Sequence, residues 1–415
     1  MQDRAFLILA PFWRNPSHVG VYRVDRFVRW LAGQSIPVTL VCAGNSDRVT
    51  ETEWGKEITI KDPLNIHGDI SADGSFKKSN RKPNALRRWL AEWLLNPDPT
   101  IVWAKRVAGH PLVKQQMSSI TDVLASNPPD ACHVGAYLLA RAYNKSLIVD
   151  MRDGWLDEPL KPLLQRSRIR QWQEGRLERK ILKQAKQIFV TSEVWKELLA
   201  SRLPFTEEKT VVLTNAYPKL ERPKPDATLE KNGMLQLMHA GRLTGSSNSR
   251  KPSYLLRPML PAIKNLEQHG KVLFLGNLAD QDLEEIDGFE QPMAKHAWQL
   301  DTAGRVTRER MLQIMESMDG LLLLSTSHAA IPSKFFEYLT IGKPILASTP
   351  AKSSVWRIGE RLPQVFLVDY TQNAPQESVL NFLKACQRNE HFPEVPESFT
   401  ESTLSQIFLT SLKVI

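Results

Sequence analysis

The chain has three cysteines, Cys42, Cys132 and Cys386, and they lie far apart. So sparse and odd a set excludes a disulfide framework and a clustered zinc site, and it suits a reducing, cytosolic compartment. Long apolar runs are also missing. The first, residues 5–10, stops at Pro11, is too short to span a bilayer and lacks a small-residue cleavage site. It reads as a buried strand, and no later run approaches a membrane span. Gly-x-Gly-x-x-Gly is absent, which disfavours a dinucleotide enzyme. No internal repeat or low-complexity tail occurs. Neither does a helix-turn-helix, zinc or aromatic-rich sheet pattern, so nucleic acid is not an expected partner.

What remains is an even globular composition. Of 415 residues, 42% are hydrophobic and 24% charged, as in a soluble, folded protein. The length suits two domains of about 200 residues each. Lys plus Arg outnumber Asp plus Glu by 54 to 45, a formal charge of +9. A positive surface attracts phosphates, nucleic acids and anionic membranes alike, so charge does not choose among them.

Short apolar runs alternate with amphipathic stretches. The runs at 6–10, 38–42, 147–150, 188–191 and 211–213 read as strands, as do those at 235–239, 272–275, 321–324 and 345–347. Helical patterns cover 24–31, 170–185, 308–318 and 333–341. This rhythm predicts an α/β protein with parallel, doubly wound sheets. Residues 216–233, with Pro218, Pro223, Pro225 and Gly233, read as a linker. The predicted domains are 1–220 and 221–385, with a tail at 386–415. Residues 45–100 are expected to form an irregular insertion followed by a helix.

The most informative segment is residues 331–347, IPSKFFEYLTIGKPILA. Pro332 and Ser333 suit a helix start, and Gly342 with Pro344 suits its stop. An apolar strand precedes the segment, so the helix starts beyond a carboxyl strand end, where open α/β sheets bind ligands. Ser333, Lys334 and the free N–H groups would suit a diphosphate, and Glu337 a ribose diol. The same residues also suit a capped helix with solvated Lys and Glu.

A second segment, residues 239–243 (HAGRL), ends a strand at Gly241 and Arg242. Arg250 and Lys251 follow a Ser-rich loop. Arg242 could grip a diphosphate with two bonds and Lys251 or Arg250 could add a point charge, or the loop could be plain basic surface. A third, residues 11–23, joins the first strand to the first helix. Gly20 there permits close backbone approach, and His18 and Arg23 are acceptor-side candidates. A fourth joins the Ser126–Pro129 loop and His133 to Asp150, Arg152, Asp153 and Trp155. Arg152 and Asp153 either act in the cleft or brace the loop as a pair. Asp280 and Asp282 read as a solvated helix start rather than a metal site.

The 331–347 segment closely resembles the donor-site helix of GT-B glycosyltransferases, particularly the retaining family 4, at Pro332, Ser333, Lys334, Glu337, Tyr338, Gly342, Lys343 and Pro344. The Gly241–Arg242 and Asp150–Trp155 segments resemble the same family. The resemblance implies two Rossmann-like domains facing a central cleft, with the final helix crossing back to the first domain. It implies transfer of a sugar from a nucleoside diphosphate sugar to an acceptor hydroxyl with retention. Glu337 would hold the donor ribose, with Gly20, Gly241, Arg242, Lys251, Ser333 and Lys334 around its phosphates. Arg152 and Asp153 become catalytic candidates, and His18, Arg23 and His133 lie on the acceptor side. No metal or other cofactor is implied. The sequence departs from the family at Ala329, where a second glutamate is usual, and at Arg152, where many relatives carry histidine. A sugar-nucleotide epimerase and a degenerate assembly partner are the alternatives. The basic stretches 77–95 and 161–186 are candidates for an anionic membrane surface, consistent with a lipid-linked acceptor in envelope polysaccharide or O-antigen synthesis.

Overall fold

The computed structural model describes residues 4–15, 18, 20–67, 95–158, 161, 167–215, 233–244, 250–264, 266, 268–372, 377–392 and 396–414. The chain divides into two compact units, Met1–Leu213 with Ser405–Ile415, and Thr214–Leu404. The Pro-rich stretch lies outside the described residues up to Gly233, and the basic stretch 77–95 lies outside them up to Leu95. Cys386 lies in the hydrophobic core of the second unit. The return to the first unit thus starts at Ser405, later than the tail read from the sequence.

The first unit runs β1 (Phe6–Leu9), α1 (Gly20–Ala32), β2 (Val38–Gly44), β3 (Arg48–Thr52), β4 (Gly55–Lys61), α2 (Ile101–Gly109), α3 (Pro111–Lys114), β5 (Asp122–Ser126), α4 (Ala131–Ala142), β6 (Ser146–Met151), α5 (Arg168–Gln184), β7 (Ala185–Val190), α6 (Glu193–Arg202) and β8 (Thr210–Val212). Its sheet order is β3-β4-β2-β1-β5-β6-β7-β8. The β3–β4 pair is antiparallel, and the neighbours of β1 and β6 run parallel to them. Every residue of β1, β2 and β5 is buried, as expected of strands covered on both faces. Part of the expected irregular insertion is therefore this β3–β4 hairpin, which extends the sheet edge. It also anchors the loop after β1, because Glu57 accepts hydrogen bonds from Trp13 Nε1 and Arg14 Nε.

The second unit runs β9 (Leu235–Ala240), α7 (Ser253–Ile263), β10 (Gly270–Leu275), α8 (Asp280–Ala294), β11 (Trp298–Ala303), α9 (Arg308–Ser317), β12 (Gly320–Leu324), α10 (Ser333–Ile341), β13 (Ile345–Ser348), α11 (Ser354–Gly359), β14 (Val365–Val368) and α12 (Glu377–Gln387). The sheet order is β11-β10-β9-β12-β13-β14, parallel throughout. Counted from β9, this is the 3-2-1-4-5-6 order of a doubly wound dinucleotide fold. One apolar cluster, with Met238, Leu321, Phe335 and Tyr338, covers one sheet face. A second, with Leu237, Phe274, Leu322 and Phe382, covers the other.

The last helix, α13 (Glu401–Ser411), carries Phe408 into the first unit. There Phe408 stacks on Phe27 with ring centroids 4.8 Å apart and also meets Trp30 and Phe189.

Candidate functional site

In an open sheet, ligands gather where strand order reverses, outside the carboxyl ends. In the second unit that point lies between β9 and β12. The loop after β9 carries Gly241 and Arg242, and the loop after β12 leads into α10. Gly241 has φ +134°, a value that favours glycine. A Cβ there would lie 2.8 Å from Lys334 Cε, so this glycine lets the lysine lie across the backbone. Gly276, at the end of β10, is as restricted, since its Cβ would lie 2.5 Å from the Gly241 carbonyl oxygen.

Two side chains replace a rung of the sheet here. β9 and β12 pair at Leu237↔Gly320 and Met238↔Leu321. Continued in that register, the next rung would run from the Ala240 N–H to the Leu322 carbonyl. Instead Ala240 N–H donates to the Tyr338 hydroxyl at 2.8 Å, and His239 Nδ1 meets the Leu322 carbonyl at 2.9 Å. The strands therefore splay with both backbone groups satisfied. Tyr338 comes from α10, so the helix that carries Lys334 and Glu337 is bolted to the residue before Gly241. Burial holds the His239 pKa down at about 4, with the Lys334 and Arg250 charges adding to the effect. The ring is neutral at pH 7, so its Nδ1–H is the donor.

α10 begins after Pro332, an N-cap residue that makes no side-chain cap, and Ser333 at its start is exposed. A helix start with a hydroxyl and a nearby ammonium suits an anion. Burial lowers the Lys334 pKa, partly opposed by Glu337. Glu337 accepts a hydrogen bond from Arg308 Nη2 at 3.1 Å, and the Arg308 side chain is 43% exposed. So open a pair is weak and can give way to a ligand hydroxyl. Gly342 ends the helix with φ +71°, as the sequence suggests.

The structure thus brings together Gly241, Lys334 and Glu337, with Ser333 at the helix start. Arg242 and Lys251 are exposed near the two ends of the loop after β9. Of the two alternatives in that loop, Arg250 lies near enough to act on His239. Asp282 is not a solvated helix start. It is fully buried and accepts hydrogen bonds from Thr244 N, Thr244 Oγ1 and Ala279 N, anchoring the same loop. Sequence reasoning missed Arg308, Gly276 and this role of Asp282. Their signals lie in tertiary pairing rather than in any local pattern.

In the first unit the reversal point lies between β1 and β5. Gly20 opens α1, tightly packed. A Cβ there would lie 2.6 Å from Arg152 Nη1 and 2.9 Å from His18 Nδ1. His18 stacks on Phe12 at 4.2 Å, and its Nδ1 accepts the Gly20 N–H. Arg152 and Asp153 follow β6, with 3.4 Å between their charged atoms. Two acceptor-side candidates are not presented to a ligand. Arg23 is buried by an ion pair with Asp150 at 2.6 Å and a hydrogen bond to the Leu213 carbonyl. His133 is fully buried on α4 beside Trp155, and burial lowers its pKa to about 4. Among the described residues, no group of three or more His, Cys, Asp or Glu could hold a metal ion. No helix among them is long and apolar enough to cross a membrane.

No protein-family model and no curated protein matches the chain. Solved structures do. A glycosyltransferase from Rickettsia africae is 13% identical with a TM-score of 0.60, all of each chain being covered. HepE from Anabaena, in complex with UDP, is 12% identical with a TM-score of 0.59, over 99% of this chain and 100% of its own. Sucrose-phosphate synthase from Thermosynechococcus elongatus is 12% identical with a TM-score of 0.59, over 99% of this chain and 94% of its own. The chain takes the two-domain GT-B fold of these structures.

Proposed function

We propose that the protein is a glycosyltransferase that moves a sugar from a nucleoside diphosphate sugar to an acceptor hydroxyl, with retention. The observation that carries this reading is the start of α10 at the strand-order reversal, with Lys334 held against Gly241 and with Ser333 and Glu337 on the same helix. A nucleoside diphosphate needs such a place. Helix N–H groups and Lys334 take the phosphates, Arg242 and either Arg250 or Lys251 close over them, and Glu337 accepts the ribose hydroxyls in place of Arg308. As the glycosidic bond breaks, negative charge grows on the leaving diphosphate, and fixed positive charge there lowers the barrier. No metal is needed for this step. HepE, of the same fold, holds UDP, which supports a uridine nucleotide as the first donor to try.

The setting we propose is cytoplasmic synthesis of envelope polysaccharide or O-antigen, with a saccharide or lipid-linked saccharide as acceptor. The exposed Ile169 and Trp172 on basic α5 support a peripheral place on an anionic membrane face. The test is turnover. Incubated with UDP-, GDP-, ADP- and dTDP-sugars and a panel of saccharide acceptors, the protein is expected to release one nucleoside diphosphate in an acceptor-dependent way. Conversion of a nucleotide sugar without any acceptor would instead mark an epimerase.

A further inference from the structure

Among the described residues of the first unit, Arg152 is an arginine that its surroundings neutralise poorly. Arg23, Arg170 and Arg202 each have a carboxylate within 2.7 Å and further acceptors: Asp150 and a carbonyl, Glu174 and two carbonyls, and Asp157 with Glu178. Arg152 is 90% buried, its side chain 10% exposed, yet its ion pair with Asp153 is long, at 3.4 Å, and Asp153 is 37% exposed. Among the described residues, its Nη1 is buried without a hydrogen-bond partner. That nitrogen is aimed at Gly20, the first residue of the 13-residue helix α1, whose start carries partial positive charge of its own. The nearby carboxylate of Asp150 is already engaged by Arg23 and by Ser126 Oγ.

The third group is His18. Burial first, and the Arg152 charge second, lower its pKa to about 4, so the ring is neutral at pH 7. Its Nδ1 accepts the Gly20 N–H. The proton therefore sits on Nε2, so the ring, close enough to feel the Arg152 charge, is neutral and keeps one N–H donor. Among the described residues this buried cation has one long carboxylate partner, at a helix start and beside a neutral ring, and an anion there would balance it.

We infer that Arg152 and His18 form an anion subsite within the first unit, taking the carboxylate or phosphate of an acidic saccharide, with Asp153 accepting one of its hydroxyls. Guanidinium binds either oxyanion with paired hydrogen bonds, and Asp153 distinguishes a sugar acid or sugar phosphate from a bare ion. The inference deepens the transferase reading, since it names the chemistry of the acceptor.

The test is calorimetric titration of the full chain with glucose 6-phosphate, glucuronate, glucose and inorganic phosphate. At least one acidic sugar is expected to bind tenfold or more tightly than glucose, and the tighter of the two identifies the anion as phosphate or carboxylate. Inorganic phosphate is expected to bind more weakly than glucose 6-phosphate. Arg152→Gln is expected to abolish the preference for the acidic sugar and Arg152→Lys to keep part of it, both with ligand-free melting curves close to the wild type. No preference over glucose, a preference that survives Arg152→Gln, or inorganic phosphate binding as tightly as both sugars would each overturn the subsite. UDP is titrated into the same wild-type sample. UDP binding without an acidic-sugar preference defeats the subsite alone. The preference without nucleotide binding defeats the donor reading alone.

Discussion

Both units expose a strand-order reversal at the carboxyl edge of a parallel sheet, yet they use their charged residues differently. In the first unit most charges near that edge are consumed internally. Asp150, fully buried, is held by Arg23 and Ser126. Lys161 pairs with Asp130, Arg170 with Glu174, and Arg202 with Glu178 and Asp157. In the second unit Ser333 and Arg242 are exposed, Lys334 lies over a glycine, and the ion-pair partner of Glu337 is a half-exposed arginine. The comparison teaches that a charged residue at the right topological place is a ligand group only if the fold has not already used it. Arg152 is the exception in the first unit, and for that reason it is informative.

The contrast can be broken by mutation. Asp150→Ala leaves the Arg23 guanidinium buried without its carboxylate, which should cost about 3–5 kcal/mol of stability. Glu337→Ala, on the half-open side of the comparison, should cost less than about 1 kcal/mol. Urea denaturation of both variants measures the difference, and similar losses would erase the distinction between consumed and available charge.

Tyr338→Phe comes next. It removes the acceptor for the Ala240 N–H and should cost about 1–3 kcal/mol. Because Tyr338 ties α10 to the residue before Gly241, UDP affinity should fall as well, by about tenfold for each 1.4 kcal/mol of binding lost. An unchanged UDP affinity in a folded variant would show that the replaced rung serves stability alone.

A smaller effect than at Tyr338 is expected at His133, whose two ring nitrogens are buried without partners among the described residues. His133→Phe keeps a planar ring of somewhat larger volume and should change stability at pH 7 by less than about 1.5 kcal/mol. The pH dependence is more telling. His133 has a folded pKa of about 4 against an ordinary 6.5, so below pH 6.5 the unfolded chain takes up the proton first. Stability present above pH 6.5 is lost as pH falls toward 4, by on the order of 3 kcal/mol for this group. Denaturation at pH 7 and pH 5 should show a flatter slope in His133→Phe. An identical slope would mean that the ring is not buried as a neutral group.

How much was legible in the sequence follows the same division. Strands β1, β2, β6, β9, β12 and β13 were readable because buried parallel strands are continuous apolar runs. The β3–β4 hairpin and β11 were not, since β3 is almost wholly exposed and β11 half-exposed at a sheet edge. β5 and β14 were also missed, although they are no shorter than β1 and β13. The α10 segment was readable because its start and stop signals are local. The burial of Arg23 was not legible because the carboxylate that pairs with it lies 127 residues away. Asp282 was misread because its partner Thr244 lies 38 residues away. Local pattern shows which residues can do chemistry, and long-range pairing decides which remain available for it.

The most direct measurement is thermal unfolding with UDP, GDP, ADP and dTDP, beside Glu337→Ala. One nucleotide at about 100 times its dissociation constant should stabilise the wild type by about 2.7 kcal/mol, and the variant should lose most of that gain. No shift with any nucleotide in a well-folded sample, or an equal shift in the variant, would contradict a donor site at the start of α10.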